Sequence, residues 1–248
     1  MDVIIALILR EIHTLYGDKK IGYLWAIIQA GFQLLIYWGI RTFLHFRSPH
    51  GMTTLSYLAC GIFIWYTFQK ILTASMNAIS ANTNLLVYPH VYQLDIIIAR
   101  TIVILSTQLL ATSIIVIVGI FIGFDIYVSD LFLFFSSILI CMIFSVGCGS
   151  ILSALNFYIP VFKNIIQYIL RFMFFVSGVF IPINIFSHKI GTWLYYNPIL
   201  QIIEMLRVSM ARGYHSQYYD ISYLFMVSLS VLTIGLLLER FTRRRLQA

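Results

Sequence analysis

The chain has 248 residues, 60% of them hydrophobic and only 10% charged, with a mean hydropathy of +0.92. Soluble domains carry about 25% charged residues, so this composition excludes a water-soluble globule and points to lipid as the solvent. The formal charge of +7 has no soluble basic face on which to act, which excludes a nucleic-acid partner.

Reading from the first residue, no cleavable signal peptide is expected. Val3–Leu9 is a short apolar stretch with no basic residue before it, and it runs directly into Arg10 and Glu11. Ile4, Ile5, Ile8, Ile12 and Leu15 recur at three- and four-residue spacing among polar residues, the pattern of an amphipathic helix lying in the membrane interface. Residues 1–22 are therefore read as an interfacial segment, with Gly17 and Gly22 as its turning points, and 23–248 as a single transmembrane domain.

A span needs roughly 20 apolar residues. Six are expected, at Tyr23–Leu44, Leu55–Ser75, Ile96–Phe124, Leu131–Leu155, Ile165–Phe186 and Ile221–Glu239. The fold class is thus an all-α integral membrane protein. Between the last two spans, Trp193–Met210 is apolar but interrupted at Asn197-Pro198, so about 187–212 is read as short re-entrant or interfacial helices.

Basic residues set the orientation. With the N-terminus in the cytoplasm, that side and its adjoining half-helices hold Arg10, Lys19, Lys20, Lys70, Arg100, Lys163, Arg171, Arg240, Arg243, Arg244 and Arg245. The opposite side holds Arg41, Arg47, Lys189, Arg207 and Arg212. The bias predicts a multi-pass protein of the bacterial plasma membrane with both termini cytoplasmic.

No catalytic or metal constellation is legible. Cys60, Cys141 and Cys148 lie in apolar runs, as small packing residues do. The histidines show no metal-ligand spacing, and the Gly147-Cys148-Gly149 run lacks the Lys-Ser/Thr of a phosphate loop, so it reads as a close helix contact. No carboxylate is clearly central to a span, which weakens an ion-coupled carrier, the alternative from another class.

Three groups of residues remain as candidates. The connection from Asn82 to Asp95 is short, mixed in polarity and broken at Pro89; Leu86, Tyr88, Val91 and Tyr92 equip it to dock as a short helix in a partner's groove. A smaller contact is expected at 156–164, through Pro160 and Lys163. The first two spans carry Trp25, Phe32, Tyr37, Trp38, Phe43, Tyr57, Phe63, Trp65 and Tyr66, whose rings offer stacking surfaces and phenols for a sliding sugar chain. Arg41 and Arg47, with Glu204, Arg207 and Arg212 further on, either snorkel to the interface or touch an acidic polymer.

The run Arg10-Glu11-Ile12-His13-Thr14-Leu15-Tyr16-Gly17, continuing through Gly22-Tyr23-Leu24-Trp25, resembles the N-terminal signature of bacterial ABC type-2 permeases that export polysaccharides. So do Phe174–Pro182 around Gly178, then Asn197-Pro198, Glu204-Met205-Leu206-Arg207, Gly213-Tyr214 and the basic close from Leu238 to Arg245. The order and spacing are most similar to the capsular polysaccharide (KpsM-like) permeases. Departures are Gln29-Ala30, where many relatives carry Glu-Pro, and the absence of an Arg-Asp pair in the second cytoplasmic loop.

The resemblance implies a non-catalytic permease: a homodimer bound to two copies of a separate ABC ATPase, which carries ATP and Mg while this chain binds no cofactor. It also implies periplasmic and outer-membrane export proteins as partners and a lipid-linked capsular polysaccharide as substrate. Asn84–Asp95 would be the coupling helix, with Asn84, Leu86, Tyr88, Pro89, His90, Val91 and Tyr92 in contact with the ATPase. Export of teichoic acid, O-antigen, a lipid or a drug is the alternative within the same superfamily.

Overall fold

The computed structural model describes residues 2–16, 21–45, 51–78, 93–122, 127–159, 161–183 and 188–246. Among them every regular element is helical: α1 (Asp2–Tyr16), α2 (Ile21–Phe43), α3 (Thr54–Met76), α4 (Gln93–Ile122), α5 (Leu131–Tyr158), α6 (Phe162–Val176), α7 (His188–Tyr195), α8 (Pro198–Met210) and α9 (Ile221–Leu246). An all-helical chain is the physical expectation in lipid, where a helix satisfies its backbone groups within itself.

Four of the described helices are long and apolar enough to cross a membrane, over Thr54–Met76, Gln93–Phe121, Leu131–Tyr158 and Ile221–Thr242. Three of them start at short polar side chains. Thr53 accepts from the Ser56 amide, Asp130 from that of Leu133 at 3.1 Å, and Asp220 from that of Ser222 at 2.8 Å.

The fifth expected span differs from its sequence reading. Its helix stops at Val176 rather than running to Phe186, because Ser177 caps it back to the Met173 carbonyl and Gly178 adopts a left-handed φ of 69°. The 15 residues of α6 reach about 22 Å at 1.5 Å per residue, short of a full hydrocarbon core. Beyond it the chain breaks again at Asn197, whose side chain caps α8 at the Ile199 amide while Pro198 takes the first helical position.

The core forms where α3, α5 and α8 pack together, with α9 against α5 and α4 against α3. α8 is buried almost all round, from Ile199 to Arg207, and so is an internal helix of the protomer. The glycine run in α5 acts as expected. A Cβ on Gly147 would lie 2.7 Å from the Leu232 backbone nitrogen in α9, and one on Gly149 would lie 2.4 Å from Ser75 Cβ in α3. The two glycines let α5 pass close to a helix on either side.

Candidate functional site

Among the described residues, three polar assemblies built on charged side chains interrupt this apolar interior. The first is centred on Arg207, fully buried in α8. Its Nη1 donates to Glu204 Oε1 at 2.8 Å one turn earlier, its Nη2 to the Val179 carbonyl at 3.2 Å, and its Nε to the Tyr57 carbonyl at 3.3 Å. The guanidinium carbon lies 3.4 Å from the centroid of the Tyr57 ring, and that of Arg41 lies 4.8 Å from it. Tyr57 in turn donates its hydroxyl to the Gly178 carbonyl, and Tyr214 donates to Glu204 Oε2 at 2.7 Å.

One side chain thus fastens α3, the turn after α6 and α8 to one another. A planar guanidinium with several donors suits this task, since it can serve three acceptors at once. Gly61 leaves the room for it: a Cβ there would meet Arg207 Nη2 at 2.8 Å. Burial, and next to it the Glu204 carboxylate, holds the Tyr214 phenol well above the ordinary tyrosine range, so it remains a donor to Glu204.

The second assembly joins α1 to α4. Glu11, fully buried, meets Arg10 at 3.0 Å and Arg100 Nε at 3.1 Å. A buried carboxylate between two cations fixes the first helix onto the bundle; Leu7 and Ile8 pack beside it on Ile96 and Ala99.

The third lies between α2, α3 and α4. Lys70 Nζ donates to Gln108 Oε1 at 2.8 Å, and Tyr66 and Gln33 border the same cavity as that pair. Gln29, Gln33, Tyr66, Lys70, Gln108 and Thr112 line a narrow cavity of about 20 Å³, room for about one water. On the other side of Lys70 a wider groove opens, of about 500 Å³, lined by Gln69, Thr73, Asn77, Arg100 and Gln167 as well.

The candidates from sequence fall into distinct places. Asn84, Leu86, Tyr88, Pro89, His90, Val91, Tyr92, Arg47 and Pro160 lie outside the described residues, as does the side chain of Trp25. Lys163 is exposed on the first turn of α6. Phe32, Trp38 and Phe43 are exposed on α2, Phe43 at 82%. Tyr57, Phe63 and Trp65 are buried, and Tyr37 and Tyr66 partly so. Trp65 and Tyr37 both pack on Phe174, with ring centroids at 5.6 and 5.1 Å, which ties α2 and α3 to α6.

Arg41, Glu204 and Arg207 do not snorkel: exposures of 0, 1 and 0% place all three inside the protomer. Their roles as a network were not drawn from the sequence, although a Glu and an Arg three residues apart on one helix are a signal for an ion pair. Lys70 was counted only as a topological charge. An ionisable residue within an apolar span is itself a functional signal.

The segments that meet around Arg207, namely Ser177–Val179, Asn197, Glu204–Arg207 and Tyr214, are distant in sequence and adjacent in space. Family comparison covers all of these segments except Tyr214: residues 2–211 match the model of the ABC-2 type transporter family. The chain belongs to that family. Among curated relatives, the polysialic acid transport protein KpsM of Escherichia coli is 30% identical over 242 residues, covering 95% of this chain and 91% of its own length. The capsule polysaccharide export inner-membrane protein CtrC of Neisseria meningitidis serogroup A is 25% identical, covering 97% of this chain and 91% of its own. BexB of Haemophilus influenzae, likewise a capsule polysaccharide export inner-membrane protein, is 26% identical with coverages of 96% and 90%. In this ABC-2 transporter the Arg207 network is therefore an element of the membrane fold, spanning three segments of the matched region.

Proposed function

We propose that this chain is the membrane subunit of an ATP-driven exporter that moves a lipid-linked capsular polysaccharide across the bacterial inner membrane. The observation that carries the reading is end-to-end similarity to KpsM, CtrC and BexB, each covered over nine-tenths of its length or more. The chain crosses the membrane six times with both termini in the cytoplasm: α2 and α6 add two crossings to the four apolar helices, α6 being completed by the chain beyond Gly178. α7 and α8 then form the re-entrant pair.

Two copies form the passage. Phe32, Ile36, Ile40 and Phe43 lie at four-, four- and three-residue steps and are all exposed, so α2 carries an unpaired apolar and aromatic stripe. That stripe supports a role for α2 in lining the passage, where ring faces let a polymer slide without a tight stop. The buried aromatics Tyr57, Phe63 and Trp65 stiffen the wall behind it.

ATP and Mg act on two partner ATPase subunits, and this chain performs no catalysis. The connection 79–92 leads from the end of α3 to the start of α4, at the end of the bundle where α1 is pinned through Glu11 to Arg100. Tyr88 and its neighbours dock there on the ATPase. Closure of the motor shifts the permease only if its states bind that segment with different affinities; equal fit would shift nothing. Periplasmic and outer-membrane export proteins take the polymer onward.

The reading is tested by co-purification with an ABC ATPase from the same cells, scored by glycolipid-stimulated hydrolysis. Stable association with stimulated turnover is the expected result. Robust hydrolysis by the purified chain alone, or no association with any ATPase, would overturn it.

A further inference from the structure

The groove beside Lys70 gathers basic and amide side chains where two candidate membrane spans, α3 and α4, meet. Lys70 and Arg100 supply two cations, while Gln69, Asn77 and Gln167 add amides and Thr73 a hydroxyl. Among the described residues no carboxylate lines it. Glu11 pairs with the Nε of Arg100 at 3.1 Å from the side of α1. The groove's volume, about 500 Å³, falls in the range of roughly 300–1,000 Å³ usual for ligand sites.

Depth narrows the ligand. Lys70 lies six residues before the end of α3, and Arg100 seven residues after the start of α4, so each is about 9–10 Å inside the ends of its helix. A lysine so placed commonly snorkels outward to water. Lys70 does the reverse. Its bond goes to Gln108, two turns deeper along α4 than Arg100, as expected of a helical side chain that leans towards the N-terminal end of its own helix. An ammonium turned inward at this depth needs water or an anion for its remaining donors. Lys70 with the amide donors favours an anion, and Arg100, although its Nε is paired with Glu11, adds a planar guanidinium of the geometry that suits phosphate oxygens.

We infer that this groove binds a phosphate group carried on a lipid, and that Lys70 selects lipid-linked acidic substrate at the inner end of the bundle. The assignment rests on the exporter reading for its substrate, and on the groove alone for its ligand chemistry. Lys70 also borders the narrow cavity between α2, α3 and α4 that Gln108, Gln33 and Tyr66 help to line, so it belongs to both.

The test uses the purified full-length chain in detergent with phosphatidylglycerol or phosphatidylcholine, and bound lipid is counted by native mass spectrometry. Phosphatidylglycerol should be retained over phosphatidylcholine. Lys70→Gln should lower its retention by about tenfold, the loss of one charge-assisted hydrogen bond, while Lys70→Arg restores it. Arg100 is left intact because it also holds Glu11. Unchanged retention in Lys70→Gln, in protein whose melting temperature matches the parent, would overturn the site. Inorganic phosphate as competitor separates the sources: resistance to displacement assigns the site to a lipid-borne phosphate, and full displacement would overturn that part of the inference. None of these readouts depends on transport or on the ATPase, so a failed exporter reading and a failed site give different results.

Discussion

Replacing Arg207 with methionine removes the guanidinium and keeps much of the side-chain volume. The structure fixes what is lost: three hydrogen bonds, at 2.8, 3.2 and 3.3 Å, and the contact 3.4 Å above the Tyr57 ring. It also strands Glu204, which is 1% exposed and would keep only the Tyr214 hydroxyl as a named partner. Breaking a buried pair from one side costs about 3–5 kcal/mol, because the charge left behind is uncompensated. For a protein of this size, about 2–4 °C of melting temperature accompanies each kcal/mol, so the expected loss is roughly 6–20 °C. Thermal unfolding of the purified variant in detergent measures it. Adding Glu204→Gln to Arg207→Met removes the stranded charge and should recover part of the loss, a coupling that a double-mutant cycle reads directly. A shift within about 2 °C for Arg207→Met would refute the reasoning, since no buried ion pair of this geometry could be so inert.

Gly147→Leu forces a side chain into the contact between α5 and α9, where even a Cβ would lie 2.7 Å from backbone; it should lower the melting temperature by several degrees, or prevent folding, while the same change at the open Gly39 does neither. Glu11→Gln weakens the tie of α1 to α4 by about 1–3 kcal/mol, read as faster proteolytic release of the first helix. Tyr214 prefers its neutral form in the folded state, so its contribution is complete below about pH 10 and is lost as pH rises beyond that value. Tyr214→Phe should accordingly show a shallower fall in melting temperature between pH 9 and 11 than the parent. Tyr88→Asp or Val91→Asp should abolish export with insertion intact; normal export by both would remove the coupling role.

Apolar runs and caps made most of the helices legible in sequence: Thr53, Asp130, Asn197 and Asp220 each precede a helix start. The close pass of α5 was legible too, because two glycines one residue apart in an apolar run have few other uses there. The end of α6 was misjudged. Hydropathy continues smoothly through Val179, Phe180 and Ile181 to Pro182, where the sequence marks the end of the helix, whereas the backbone already turns at Gly178. The Arg207 network was hidden for a different reason. Composition places an arginine near a span end at the interface, and only the tertiary packing of α3, α8 and the 177–183 turn reveals acceptors that hold it inside. Lys70 and Gln108 are 38 positions apart, a pairing that no local pattern encodes.

The central claim is transport driven by a partner's ATP, and inside-out vesicles test it most directly. Vesicles containing the chain and its partner ATPase should accumulate lipid-linked acidic polysaccharide only when ATP is supplied, and lose that uptake when either protein is omitted. Uptake without ATP, driven by an ion gradient across vesicles lacking the ATPase, would contradict the account.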